Sequence, residues 1–129
     1  MLLAIIPARS GSKRIINKNI IDFNGKPLIS YALKSAKNAN IFDKIHVSTD
    51  SQRYANIVKK LGFEVDFLRD LSLSGNNVEI TKVLRWVVQE YEKRGEIISE
   101  ICMIMATAPL VNSNDIINMR KIFLKYNGS

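Results

Sequence analysis

The chain has 129 residues, 47% hydrophobic and 24% charged, the ordinary balance of a soluble globular domain with a small core, while its formal net charge of +7 is high for this length. One cysteine, Cys102, excludes an intrachain disulfide and a cysteine-based zinc cluster. The positive excess favours polyanionic partners (nucleotides, nucleic acid or acidic lipid), although a lysine-rich solvated surface gives the same total.

In chain order, Leu2 to Ile6 is a short apolar run ended by Pro7, as in a strand buried on both faces. It is too short to span a membrane, and it lacks the basic and long apolar regions of a signal peptide. A cytoplasmic protein without membrane partners is therefore expected. A loop from Ala8 to about Gly25 carries Arg9, Lys13, Arg14 and Lys18 among small and polar residues. Pro27 fits the first turn of a helix whose apolar stripe is Leu28, Ile29, Ala32, Leu33 and Ala36.

Lys44 to Thr49 reads as a second strand, and Asp50 or Ser51 as the next helix cap. Tyr54, Ala55, Val58 and Leu61 line that helix, which Gly62 stops. Glu64 to Leu68 reads as a third strand, and a polar loop follows from Arg69 to Asn77. Ile80, Val83, Leu84, Val87, Val88 and Tyr91 recur at helical spacing. Ile101 to Met105 is a fourth strand, with Cys102 packed inside it. Asn112 or Ser113 caps a last helix, through about Lys125, with Ile116, Met119 and Phe123 inward. Strand and helix alternate, which predicts one α/β domain over residues 1–129 with a Rossmann-like, doubly wound, mainly parallel sheet. The sequence stops where the alternation would next demand a strand.

Ligands of such sheets collect at the carboxyl ends of the strands. Three loops are expected at that edge: Ala8 to Gly25, Arg69 to Asn77, and Ala106 to Asn112. The first reads I-P-A-R-S-G-S-K-R from Ile6, then N-K-N from Asn17, then N-G-K-P-L from Asn24. Gly11 with the small Ser10 and Ser12 lets backbone amides approach phosphate oxygens. Arg9 adds a planar fork of donors and Lys18 a point charge. The loop matches neither the Walker pattern nor G-x-G-x-x-G. Its alternative is a solvated basic loop. His46, mid-strand, reads as a packed or edge residue rather than a general base, Asp50 as a cap rather than a metal ligand, and Trp86 as core or interface.

Taken together, I-P-A-R-S-G-S-K, N-K-N-I and N-G-K-P-L-I-S-Y resemble the acylneuraminate cytidylyltransferases, the enzymes that make CMP-sialic acids. F-D-K-I-H-V-S-T-D from Phe42 and G-F-E-V from Gly62 fit the same family, so the likeness covers nearly the whole chain. Ala106-Thr107-Ala108-Pro109 looks more like the pseudaminic acid branch. The resemblance implies transfer of CMP from CTP to the anomeric hydroxyl of a nine-carbon acidic sugar, with release of pyrophosphate. It also implies Mg²⁺ as cofactor, a nucleotide-diphospho-sugar transferase fold, and a homodimer. By motif match, Arg9, Ser12, Lys18 and Asn19 contact the triphosphate, with Lys13 beside them. Arg9 and Lys18 then carry the catalytic charge, and Ala8 and Arg69 help hold the cytosine nucleotide. The alternative for Arg69 is an exposed ion pair with a surface acid.

The sequence departs from the family where Arg69 is followed by Asp70 rather than proline. Gly75 or Asn76 holds an acidic position, Val78 and Ile80 replace hydroxyls, and Met105 stands where many members have glutamine. The metal-holding Asp-x-Asp pair and the dimer arm of the family's second half are absent from these 129 residues. The expectation is therefore a truncated chain, as fragment or as gene product, that binds CTP and turns over little alone. The other readings are a non-catalytic nucleotide-binding fragment, a 3-deoxy-octulosonate cytidylyltransferase, and a nucleic-acid module. Phe23 is the only aromatic between Ala8 and Gly25, which argues against nucleic acid.

Overall fold

The computed structural model describes residues 1–9, 22–23, 26–27, 29–75 and 78–105. Three parallel strands form the sheet: β1 (Leu2–Pro7), β4 (Lys44–Ser48) and β5 (Glu100–Met103), in the order β4-β1-β5. A separate antiparallel pair joins β2 (Asp22–Phe23) to β3 (Lys26–Pro27). The helices are α1 (Ile29–Ala39), α2 (Gln52–Lys60) and α3 (Ile80–Lys93). No described helix is long and apolar enough to cross a membrane.

β1 is apolar along its whole length because it is covered on both sides. Leu3 and Ile5 point to one face, where they meet Val87 and Tyr91 of α3. Ala4, Ile6 and Ala8 point to the other, against Ile29, Leu33 and Ala36 of α1 and Tyr54 and Val58 of α2. Each fully buried aliphatic side chain of this kind stabilises the fold by about 1.5–3 kcal/mol relative to exposure. Helices on both faces of a parallel sheet make the fold doubly wound, as the alternation predicts. Cys102 packs in the α1 and α2 layer, and burial pushes its thiol up to about 11. It is a small apolar filler.

Local chemistry sets the element ends. Ser51, rather than Asp50, caps α2: its Oγ accepts from the Tyr54 N–H at 3.2 Å. At the other end Gly62 has φ +92, its N–H donates to Lys59 O, and the Phe63 N–H donates to Val58 O. That paired closure needs a residue free to adopt positive φ. Asn40, at φ 54, ends α1 in a similar way.

Two expectations are corrected here. Pro27 does not open a helix; it lies in β3, paired with Asp22, and α1 begins at Ile29. The signal was Asn24-Gly25, the dipeptide favoured between paired antiparallel strands. Glu64 to Leu68 is extended but forms no ladder. Its side chains alternate as in a strand, with Phe63, Val65, Phe67 and Arg69 inward. One side-chain pair and one backbone bond, rather than a ladder, fasten it beside β4: Lys44 bridges Asp66 at 2.6 Å, and at the far end the Arg69 N–H donates to Thr49 O at 2.6 Å. The fourth strand, Glu100–Met103, begins one residue earlier and ends two residues earlier than expected. The predicted last helix, from Asn112 or Ser113, lies outside the described residues.

On the α3 face, His46 is packed, as expected, and is 1% exposed. The Tyr91 hydroxyl lies 2.9 Å from His46 Nδ1 and donates to Asp66 Oδ2 at 2.8 Å. A phenol has one proton, so the hydroxyl accepts from His46, which fixes the neutral imidazole with its proton on Nδ1. Burial, opposed by the Asp66 charge, lowers His46 to about 4. Asp66 is also partly desolvated, but the hydrogen bonds from Lys44 and Tyr91 outweigh this and hold it below the usual carboxylate range.

Because the unfolded chain takes a proton on His46 near pH 6.5 and the folded chain only near 4, acid favours unfolding across that interval. We predict that urea-unfolding stability is fully present above pH 6.5 and declines by about 3 kcal/mol on descent to pH 4. A His46→Asn variant, which keeps a donor to the phenol, should flatten that decline. An unchanged slope in the variant would contradict this origin.

Candidate active site at the carboxyl edge of the sheet

β1 lies between β4 and β5, and the chain passes first to one side of it and later to the other. The crevice that opens where the connections diverge is the usual ligand position of such sheets. Ala8 and Arg9 leave β1 at this crevice. Beside them, β4 ends in Ser48, Thr49 and Asp50, and the segment from α2 arrives at Arg69.

One residue ties these pieces together. The Ser48 carbonyl accepts the Ala8 N–H at 2.8 Å and Arg69 Nη2 at 3.0 Å. The Ser48 Oγ accepts Arg69 Nε at 3.0 Å. Arg69 Nη1 reaches Leu73 O at 3.4 Å, at the end of a single 3₁₀ turn, Leu71–Leu73. Asp70 caps that turn, its Oδ1 accepting from both the N–H and the Oγ of Ser72. Thr49 adds a further link, accepting the Ser51 N–H on Oγ1 at 3.2 Å.

Arg69 is 5% exposed, so it is a buried cation rather than a surface ion-pair partner. Burial lowers its affinity for its proton; Asp50 acts against this, and Arg9 reinforces it. Arg9 and Arg69 therefore feel each other's charge. Two guanidinium groups held at one edge favour an anion between them.

Of the residues expected to bind the nucleotide, Ala8, Arg9 and Arg69 are brought together here. Ser12, Lys13, Lys18 and Asn19 lie outside the described residues, as does the loop from Ala106. Sequence reasoning missed the Ser48-Thr49 corner. Its signal was a pair of adjacent hydroxyl residues at the end of β4, both of them buried (1% and 0% exposed). Buried hydroxyls need partners, and here they find them in neighbouring loops.

Among the described residues no group of three or more His, Cys, Asp or Glu side chains could hold a metal ion. Asp50 and Asp70 are carboxylates at this edge, and Asp70 is occupied by Ser72. The described donor set does not fit a divalent cation by itself. An open groove of about 540 Å³ lies elsewhere, lined by Ser30, Tyr31, Lys34, Lys37, Asn38, Leu61 and Phe63, and it does not include the edge residues.

The parallel sheet with helices on both faces, and with Arg9 and Arg69 at its carboxyl edge, defines a doubly wound α/β domain. The cytidylyltransferase family model matches residues 3–127, and the chain belongs to that family. It is 43% identical over 112 residues to the pseudaminic acid cytidylyltransferase of Campylobacter jejuni, covering 87% of this chain and 48% of that protein. It is 32% identical to the N-acylneuraminate cytidylyltransferase of Escherichia coli, over 95% of this chain and 28% of that protein. Among solved structures, a CMP:2-keto-3-deoxy-manno-octonic acid synthetase complexed with CTP shares the fold, with TM-score 0.80, 20% identity, and coverage of 99% of this chain and 48% of that one. The chain spans about half the length of the first of these relatives.

Replacing Arg69 by lysine keeps the charge but removes the flat edge that faces Ser48. We predict a loss of about 1.5–3 kcal/mol in urea unfolding, the scale of hydrogen bonds to a charged group. A loss below about 0.5 kcal/mol would show that Ser48 does not hold the guanidinium.

Proposed function

We propose that this chain is the CTP-binding part of a cytidylyltransferase that activates a nonulosonic acid of the pseudaminic type. The reaction gives a CMP-sugar and pyrophosphate. The observation that carries this reading is the convergence of Ala8 and Arg69 on Ser48 at the switch point of the sheet, with the Arg9 charge close to Arg69. The choice of sugar branch rests on the closer likeness to the pseudaminic enzyme, 43% against 32% for the N-acylneuraminate enzyme.

In this reading the triphosphate lies over the amides that follow Ala8. Arg9 and Lys18 meet its phosphate oxygens, with Ser12, Lys13 and Asn19 completing the cradle. Arg69 supports the nucleotide from the segment beside β4. The sugar hydroxyl attacks the α-phosphorus, the bond to the departing pyrophosphate breaks, and the cations stabilise the charge that builds on its oxygens. Their work is placement and field, since positioned donors to developing charge contribute about 2.7–4 kcal/mol each. Mg²⁺, expected from the resemblance, would neutralise phosphate charge when bound, and the described residues contribute no complete ligand set for it. A homodimer and a sugar pocket are expected from parts of the family's length that this sequence does not include.

The test is thermal stability with nucleotides. CTP with Mg²⁺ should raise the melting temperature of the chain more than ATP with Mg²⁺ does. Arg9→Ala and Lys18→Ala should each weaken CTP about 10–100-fold, as expected for a lost charge-assisted hydrogen bond. Equal shifts with CTP and ATP, or unchanged affinity in both variants, would overturn the reading. Pyrophosphate release with pseudaminic and neuraminic acids then reports the sugar preference of any turnover.

A further inference from the structure

We infer that Ser48 is a positioning residue for nucleotide recognition, acting through Arg69 and Ala8 without touching the nucleotide. This inference rests on the proposed CTP site. Ser48 is 1% exposed, which leaves no surface for a ligand to contact. Its two oxygens instead face one edge of the Arg69 guanidinium: Oγ takes Nε at 3.0 Å, and the carbonyl takes Nη2 at 3.0 Å. Nε and Nη2 form one side of a planar fork, so a single residue grips it at two points and fixes its rotation.

Within the described residues these contacts and Leu73 O engage three of the five donors of the guanidinium. The grip on the Nε side therefore dictates where the remaining Nη protons point. The same Ser48 carbonyl takes the Ala8 N–H at 2.8 Å, one residue before Arg9. Ser48 thus fixes both the Arg69 guanidinium and the backbone that leads into Arg9. A hydroxyl is required for the first contact and a backbone carbonyl for the other two. Removing the hydroxyl leaves the buried Nε–H unmet and frees the fork to turn, while the charge of Arg69 stays in place. The expected consequence is a loss of preorganisation, which weakens binding without removing any ligand contact.

The experiment is calorimetric titration of CTP and Mg²⁺ into the chain, at a temperature where every variant is folded by circular dichroism. Ser48→Ala should weaken CTP about five- to twentyfold, and Ser48→Thr, which keeps the hydroxyl, should restore affinity to within about twofold. Arg69→Ala should weaken CTP at least as much as Ser48→Ala. The double variant should bind no more weakly than Arg69→Ala alone, because Ser48 has nothing left to position. A residue with a purely structural role would lower the melting temperature and leave these affinities unlinked. Wild-type affinity in Ser48→Ala, or multiplying losses in the double variant, overturns the inference and leaves the CTP site standing. Absence of CTP binding in the wild-type chain overturns both. If Ser48→Ala does not fold, Arg69→Lys takes its place: it keeps the charge without the gripped edge and should show the same five- to twentyfold loss, and unchanged affinity would refute the inference.

Discussion

A guanidinium removed from water has to be met by oxygens on the geometry it presents, and Arg69 is 95% removed. The end of β4 meets it. Ser48 supplies two oxygens along one edge, Leu73 supplies another, and the Asp50 charge lies close enough to favour the cation. The carboxyl edge hangs together through this arrangement, since Ser48 bonds both the chain leaving β1 and Arg69, and Arg69 bonds the turn beyond it. Arg9 carries a like charge that acts on Arg69 in the opposite sense to Asp50.

The fold was legible wherever burial sets the residue pattern. Leu2 to Ile6 had to be a strand covered on both faces, and Tyr54, Ala55 and Val58 had to lie inward on one helix. The reading failed where backbone pairing, rather than side-chain pattern, decides the class. Phe63, Val65 and Phe67 alternate with Glu64, Asp66 and Leu68 as a strand requires, yet the segment is held by Asp66 and Arg69 through side chains and one backbone bond to Thr49. Alternation records which side faces the core; it does not record whether a neighbouring backbone is in reach. Pro27 misled for a related reason: its fixed φ suits a helix start and a short edge strand equally.

At the site, Arg9 and Lys18 stood out in the sequence by their spacing around Gly11; the structure sets the Arg9 charge close to Arg69, and Lys18 lies outside the described residues. Arg69 was read as a partner for ligand or surface acid, and its burial could not be foreseen from a residue type that is almost always exposed. Ser48 was invisible for a stronger reason. A serine at a strand end has many uses, and only the spatial arrival of Arg69, 21 residues later in the chain, gives it one.

The aromatic packing on the α3 face has a practical side. Trp86 is the only tryptophan of the chain, and its indole lies edge-on to Phe67 with ring centroids 5.5 Å apart. Phe67 in turn packs on His46 and Tyr91 and stands two residues before Arg69. Any displacement of the strap that carries the buried arginine must move Phe67 against the indole. The protein therefore contains a native fluorophore whose emission reads the seating of that strap, with no label attached.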